Sequence, residues 1–177
     1  MKTGGLVSFF EVGKELGSGG STMKLFFILF SFFLAACSFA KDRVTDHAVL
    51  YHNDLSLIDR NGTCVIRSVA PGKTTEISLR IKPPCYFVRR KGEKEPLRFT
   101  YPHRDADFVV IMFGTPLSDD ERKMFDIKEG RICGSATQGL IIHNNAARVS
   151  KKILDGGHTC TDGGKDEKNF WYFAEHS

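Results

Sequence analysis

The stretch Leu55-Ser-Leu-Ile-Asp-Arg-Asn-Gly-Thr-Cys-Val-Ile-Arg67 predicts a β-hairpin, and the other strand signals of the chain extend from it in both directions. Apolar and β-branched residues favour strands on both sides of Asn61-Gly62. Both turn residues accept the positive φ that a type I′ turn demands, and this turn matches the twist of antiparallel strands. We therefore predict paired strands over residues 55–59 and 63–67.

Similar strand signals recur before and after this hairpin. Residues 76–81 alternate between polar and apolar side chains, which is the period of a strand with one buried face. Residues 107–113 are apolar on both faces, which predicts a central strand that is covered on both sides. Further strands are predicted over residues 47–52, 85–89, 97–101, 139–143, 147–154 and 169–173.

One helix is predicted, and it begins at Ser118. The Ser118 side chain can accept a hydrogen bond from the amide of Glu121 while the Glu121 carboxylate reaches back, which is a capping box. The helix should end before Gly130. About eight short strands and one short helix predict a mainly β (α+β) chain, arranged as an antiparallel β-sandwich or a partly open barrel with two disulfides.

Five cysteines occur in the chain, and four of them follow residue 40: Cys64, Cys85, Cys133 and Cys160. In an exported protein an even number predicts two disulfides, for which three pairings exist. We favour Cys64–Cys85 and Cys133–Cys160, because the segments between them turn back and bring neighbouring strands together. Each bridge would contribute on the order of 3 kcal/mol by restricting the unfolded chain. Zinc ligation and thioredoxin-like chemistry are not expected, since no C-x-x-C pair is present.

Residues 23–40, MKLFFILFSFFLAACSFA, predict a secretory signal. Lys24 precedes an apolar run that small residues follow, and the run is shorter than the ~20 residues that a membrane-spanning helix needs. The preceding residues 1–22 contain the linker-like Gly-Ser-Gly-Gly-Ser-Thr. We interpret them as an extension from a start codon placed before Met23, or as an artificial addition. A single folded domain is then expected over residues 41–177.

The end of this signal can be cleaved in two ways. Leu34-Ala35-Ala36-Cys37 resembles the signal of bacterial lipoproteins, in which the cysteine is lipidated and becomes the new N-terminus. In that family a serine at the next position, here Ser38, implies the outer membrane, and the lipid at Cys37 would be the only membrane contact. Alternatively, Ser38-Phe39-Ala40 is a site for ordinary signal peptidase, which would leave a soluble periplasmic or secreted protein.

The charge of the chain gives no argument for binding nucleic acid. There are 25 Lys and Arg residues against 21 Asp and Glu, a net charge of +4 with both signs interspersed. The densest basic run, Arg89-Arg90-Lys91-Gly92-Glu93-Lys94, is typical of a solvated loop, with binding of anionic lipid or polysaccharide as the alternative. No motif predicts a cofactor.

A search for a nucleophile leads to Gly134-Ser135-Ala-Thr-Gln-Gly139. This sequence does not match G-x-S-x-G, and it predicts a glycine-flanked turn between Cys133 and the strand at Leu140. Ser135 could nevertheless act in a catalytic triad with His143 or His158 and an aspartate.

The loop at residues 101–107 brings further reactive groups together. His103, Arg104, Asp105 and Asp107 could act as acid and base, bind an anion or ligate a metal with help from elsewhere in the chain, although a polar loop with internal ion pairs has the same composition. A small periplasmic hydrolase that uses His103, Asp105, Ser135 or His158 is therefore an alternative function. Residues 155–167 are rich in Gly and Asp but miss the spacing of a calcium loop, and no metal site is predicted.

Aromatic residues near residue 170 predict a binding edge. Trp171, Tyr172 and Phe173 offer a large contact area at low entropy cost, and Arg104 is a further binding candidate. In a strand, Tyr172 would lie on the face opposite to Trp171 and Phe173.

These features predict an exported bacterial envelope protein, in the first reading a lipoprotein, that binds another protein as an inhibitor or an immunity protein does. The partner would be a toxin or an enzyme of the envelope. This hypothesis rests on a disulfide-bonded β scaffold with polar, Gly-rich loops and no recognisable reaction centre. A structural envelope protein is a third reading, beside the hydrolase.

Overall fold

The computed structural model describes residues 42–177, and every structural statement below concerns that part of the chain. The extension over residues 1–22, the signal over residues 23–40, lipidation at Cys37 and cleavage after Ala40 lie outside the described residues. Neither helix formed by residues 42–177 has the length and the apolar character needed to cross a membrane.

The described residues form ten strands and two helices. The strands are β1 Arg43–Leu50, β2 Asn53–Arg60, β3 Thr63–Ala70, β4 Lys73–Ser78, β5 Tyr86–Phe87, β6 Arg98–Tyr101, β7 Ala106–Pro116, β8 Cys133–His143, β9 Ala146–Leu154 and β10 Thr159–Cys160. The helices are α1 Asp119–Met124 and α2 Glu167–Glu175, and a short 3-10 turn covers Pro102–Arg104. The mainly β, antiparallel fold is confirmed.

The first sheet consists of β1 to β4, each paired antiparallel with the next along the chain. Arg60 pairs with Thr63 across the predicted hairpin turn. Asn61 and Gly62 have φ values of 52° and 79°, which confirms the turn type on which that prediction rested.

The second sheet is built on the pair of β7 and β8. β5 and β6 both pair with the free side of β7, and β9 and β10 both pair with the free side of β8. The central position predicted for residues 107–113 is therefore confirmed.

The two sheets pack face to face, and α2 covers the outer face of the second sheet. Val110 and Met112 of β7 lie in the core shared with the first sheet, together with Leu55 and Leu57 of β2. The alternate β7 residues Val109, Ile111 and Phe113 lie in a second core with Phe170 and Phe173 of α2. Because successive side chains of a strand point to opposite faces, β7 contributes to both cores.

Polar side chains link the two sheets at the edge of this sandwich. A register shift between Val44 and Asp46 turns the Asp46 carboxylate towards the second sheet. There it accepts from the amide of Phe87 at 2.8 Å and from both terminal nitrogens of Arg89 at 2.7 and 2.8 Å. Asp46 and Arg89 are 14% and 15% exposed, so this bidentate pair is largely shielded from water.

Both predicted disulfides are confirmed, with the pairing Cys64–Cys85 and Cys133–Cys160. The first joins β3 of the first sheet to the residue before β5 of the second. The second joins two paired residues of β8 and β10. One bridge therefore crosses between the sheets, and the other lies within a sheet.

The capping box at Ser118 is confirmed. Its hydroxyl accepts from the amide of Glu121 at 3.3 Å, and the Glu121 carboxylate accepts from the Ser118 amide at 2.8 Å. Several boundaries differ from the prediction: β1 begins at Arg43, β4 ends at Ser78 and β5 is only two residues long. The Leu79 amide still donates to the Cys64 oxygen of β3 at 2.7 Å, and the chain then leaves the first sheet, so the alternation continues into the buried Leu79 and Ile81 beyond the end of β4.

The strand predicted over residues 169–173 is wrong, because these residues belong to α2. The aromatic content of the segment favours a strand, but its buried residues Phe170, Phe173 and Ala174 have the i, i+3, i+4 spacing of a helix face. The outer face of β7 and β8 is apolar and needs a cover, which this helix face provides.

The turn predicted at Gly134-Ser135 is also wrong, because β8 runs without a break from Cys133 to His143. Its glycines allow close approach of other parts of the chain rather than a change of direction. A Cβ atom at Gly134 would collide with the backbone oxygen of Gly114, and one at Gly139 would collide with the Phe173 side chain.

The outer face of the first sheet carries a network of ion pairs. Arg67 and Glu76 pair across β3 and β4 with 2.6 Å between Nε and Oε1. Arg60 lies 2.7 Å from the other Glu76 oxygen and 2.8 Å from Asp42. Hydrogen bonds from Arg60 and then from Arg67 lower the pKa of Glu76 to about 2.

We expect Gly139→Ala to destabilise the fold. The new Cβ would lie 2.7 Å from Phe173 Cγ, so α2 must shift, and such overpacking costs ~1–3 kcal/mol. Urea unfolding followed by circular dichroism measures this loss. Gly163→Ala is the matched control, because its Cβ would meet nothing closer than 3.6 Å. Equal stability of both variants would contradict the packing of α2 on Gly139.

We expect part of the acid sensitivity of the fold to come from Glu76. Its pKa in the folded state lies below its ordinary value of 4.5, so its stabilising effect is complete above about pH 4.5 and is lost as the pH falls towards 2. Glu76→Gln should therefore lower the melting temperature at pH 7 and reduce the further loss between pH 5 and pH 2. Thermal unfolding across this range tests the prediction. The exposed Glu129→Gln serves as control, and an identical pH profile of the two variants would refute the role of Glu76.

Candidate functional site

The residues of the hydrolase alternative lie at two ends of the second sheet. His103 and Asp105 are in the turn that leads into β7, whereas Ser135 follows Gly134, which pairs with Pro116 at the other end of that strand. β7 has 11 residues, and antiparallel strands rise ~3.4 Å per residue, so its ends lie about 34 Å apart. His103 and Asp105 therefore cannot act on the same substrate atom as Ser135.

Neither of the other two candidate histidines, His143 and His158, forms a hydrogen bond with Ser135 in the described part of the chain. Ser135 donates to the backbone oxygen of Thr115 at 3.3 Å. His143 lies at the far end of β8, where its Nδ1 is 3.2 Å from an Asp107 oxygen. His158 precedes β10, near the Ser135 end, and its ring packs against Phe125 at a tilt of 41°, with 4.8 Å between the ring centres.

Two of the predicted binding residues are brought together. The Arg104 guanidinium lies 5.2 Å from the centre of the Trp171 ring, which is a cation–π contact. Arg104 Nη2 also donates to Glu175 Oε1 at 2.6 Å. The Tyr101 ring meets Trp171 edge-on at 5.4 Å. We call these four residues, Tyr101, Arg104, Trp171 and Glu175, the Arg104–Trp171 patch.

Local structure explains how Arg104 reaches α2. The 3-10 turn begins with Pro102, whose fixed φ suits the first position of a helical turn. It ends at Asp105, which adopts a left-handed φ of 49°, a conformation that aspartate tolerates better than most residues. Arg148 of β9 donates to the backbone oxygens of Arg104 and Asp105 at 3.2 and 3.0 Å, which ties the turn to the sheet.

The helical spacing of α2 places the other members of the patch. Phe170, Phe173 and Ala174 face the core, so Trp171 and Glu175, four residues apart, lie together on the outward side. Tyr101 extends from β6, and its hydroxyl donates to the backbone oxygen of Glu167 at 3.2 Å. Burial, together with the charge of Glu167, raises the pKa of Tyr101 to about 12, so this hydroxyl stays protonated at neutral pH.

The patch is exposed enough to meet another molecule. Trp171 is 40% exposed, although it is the largest aromatic side chain of the protein. The side chains of Arg104 and Glu175 are 43% and 41% exposed. Trp, Tyr and Arg are the residue types that dominate binding energy in protein interfaces. The patch offers an aromatic surface and a fixed charge pair, which suit recognition more than bond-breaking chemistry.

The other two predicted binding residues have different positions. Phe173 is fully buried against Gly139 and supports the core rather than the surface. Tyr172 is partly buried, and its ring packs against His176 at a tilt of 31°, with 4.3 Å between the ring centres. Sequence reasoning missed Tyr101 and Glu175 as members of the site. A helical reading of the segment would have found Glu175, because it lies four residues after Trp171.

Two further features of the described part concern metal and small-molecule sites. No group of three or more His, Cys, Asp or Glu residues within residues 42–177 is arranged to hold a metal ion. A hollow of about 480 Å³ beside α1 has a mixed-charge, open lining that differs from the apolar pockets of small-molecule sites. Its lining residues are Asp119, Arg122, Lys123, Asp126, Ile127 and Glu129.

Comparisons of the chain with known proteins give no relative from which a function could be transferred. No protein-family model, no curated protein and no solved structure matches it. A functional proposal must therefore rest on the residues and their geometry.

Proposed function

We propose that this chain is an exported bacterial envelope protein that binds another protein through the Arg104–Trp171 patch, as an inhibitor or an immunity protein does. The observation that carries the proposal is a 40%-exposed tryptophan on α2 that contacts both an arginine and a tyrosine. The partner is a toxin or an enzyme of the envelope.

The geometry of the patch favours tight binding because its side chains are already ordered. Arg104 is fixed by Glu175 and by the backbone bonds to its turn, and Trp171 is fixed by Arg104 and Tyr101. A partner that covers Trp171 therefore loses little of its binding energy to side-chain ordering. The charge pair at the edge of the ring would add orientation, because polar groups fix the register of an interface.

Binding is favoured over hydrolysis on positional grounds. The hydrolase candidates His103 and Asp105 are separated from Ser135 by the length of β7, and His158, which is near Ser135, packs its ring against Phe125. Two of the four binding candidates, in contrast, meet in one surface although they are distant in sequence.

Export is supported by two independent features of the chain. Residues 23–40 have the layout of a secretory signal. The chain also forms two disulfides, and disulfides persist mainly in oxidising compartments. Because Leu34 to Cys37 matches the lipoprotein signal, we propose that the mature protein is anchored to the outer membrane by lipid at Cys37.

We expect Trp171→Ala and Arg104→Ala to weaken capture of the partner from envelope extracts of the host. Truncation of a central interface residue costs ~2 kcal/mol or more, which is about a 30-fold loss of affinity. Quantitative pull-down with mass spectrometry measures the loss, and circular dichroism confirms that the variants are folded.

Met124→Ala is the matched control for these variants, because Met124 is an apolar side chain, 69% exposed, on α1 near the other end of β7. Binding should be unchanged in this control. Failure to recover any stoichiometric partner would contradict the proposal, as would equal binding by all three variants.

We expect the mature N-terminus to be a lipid-modified Cys37. Mass spectrometry of the protein purified from its host membranes identifies this terminus directly, and Cys37→Ala should move the protein from the membrane to the soluble fraction. A mature N-terminus at Lys41 would contradict the anchor and would leave a soluble exported protein.

A further inference from the structure

A second hollow lies near the disulfide Cys133–Cys160, towards the end of the second sheet at which β7 finishes. It has a volume of about 340 Å³, and Lys91, Lys128, Arg131 and Asp162 line it. Three of these side chains are cationic and one is anionic, so the lining carries a net positive charge. The Arg104–Trp171 patch shares none of these residues.

The disulfide and strand pairing hold one wall of this hollow. Arg131 and Asp162 each lie two residues from a bridged cysteine, and the amide of Thr161 donates to the Ile132 oxygen at 3.1 Å. Arg131 Nη2 is 2.7 Å from Asp162 Oδ1, and Arg131 Nε is 3.3 Å from the same oxygen. The guanidinium is therefore fixed at the wall by one edge, and its remaining donors stay available.

The two lysines come from segments that are tied to that wall. The amide of Arg89 donates to the Thr161 oxygen at 2.8 Å, and the amide of Gly164 donates back to the Arg89 oxygen at 3.0 Å, which places Lys91 beside the loop of Asp162. Arg122 Nη2 donates to the backbone oxygens of Lys128 and Arg131, both at 3.2 Å. The backbone supporting each cation is thus fixed by hydrogen bonds.

The charges of the hollow are only partly compensated. Asp162 is paired with Arg131, whose hydrogen bond lowers the pKa of that carboxyl, so it stays ionised. None of the ion pairs formed among residues 42–177 includes Lys91 or Lys128. The single Asp162 carboxylate therefore faces three cations, and two of them, Lys91 and Lys128, form no ion pair within the described residues.

We propose that this hollow binds a phosphate group, either as inorganic phosphate or as a phosphomonoester. A dianion with three or four acceptor oxygens can accept from two ammonium groups and from the free edge of a guanidinium at the same time. The volume of about 340 Å³ is several times the ~30 Å³ that one water occupies in the liquid, so an organic substituent on the phosphate also fits.

Isothermal titration calorimetry of the purified full-length protein with inorganic phosphate at pH 7.5 and low salt tests the proposal. We expect saturable binding that weakens as the ionic strength rises. The double variant Lys91→Ala/Lys128→Ala should weaken it about tenfold or more, since it removes two charged donors. Acetate at the same concentration should bind more weakly, because it has one charge and two oxygens.

Lys73→Ala/Lys152→Ala is the matched control, because it removes the same charge from exposed positions on β4 and β9. Phosphate binding should be unchanged in this control. Absence of saturable binding by the wild type would overturn the proposal, as would an equal loss in both double variants. A parallel titration with glycerol 3-phosphate distinguishes the two ligand sources. Tighter binding than that of phosphate identifies a phosphomonoester, and weaker binding identifies the free ion.

Discussion

The burial of both faces of the β7–β8 pair is the constraint on which the rest of the structure depends. Apolar side chains project from β7 in both directions, so the pair needs a cover on each side. The first sheet supplies one cover and α2 supplies the other. Gly139 allows α2 to approach β8 so closely that Phe173 lies directly against the strand backbone. The position of α2, and with it the position of Trp171, follows from this contact.

Polar side chains and a disulfide also join the two sheets at the edges of the sandwich. The Asp46 carboxylate and Arg89 connect β1 to the segment around β5. On the opposite edge the buried amide of Gln138 accepts from the Arg80 amide at 2.9 Å and donates to the Ser150 oxygen at 2.8 Å. Each of these buried polar groups is satisfied, which makes the pairing of the sheets specific as well as stable. The Cys64–Cys85 bridge adds a covalent link between the same two sheets.

The scaffold presents its chemistry at two separate places. At the start of β7, a turn tied to β9 brings Arg104 against Trp171 and gives an ordered aromatic surface suited to a protein partner. Towards the end of β7, the Cys133–Cys160 bridge supports a cationic hollow suited to a phosphate group. Both places combine side chains from segments that are far apart in sequence, and both depend on backbone that the sheets hold rigid. Both proposals therefore describe recognition through a surface that the fold holds in place, rather than through a flexible segment.

The sequence by itself determined the features that depend on a few neighbouring residues. The Asn61-Gly62 turn, the capping box at Ser118 and the antiparallel strands were predictable, because φ preferences, hydrogen-bond geometry and alternation act locally. The sequence favoured the observed cysteine pairing among three possible ones, but only the fold brings the bridged residues together. Tertiary structure alone decided that residues 169–173 form a helix and that Gly134 and Gly139 lie within a strand. The aromatic segment fits a strand or a helix by composition, and only the uncovered apolar face of β7 and β8 selects the helix. The contact between Arg104 and Trp171 could not be predicted from the sequence either. It forms because the packing of α2 on β7 and β8 places the outward face of α2 beside the turn after β6.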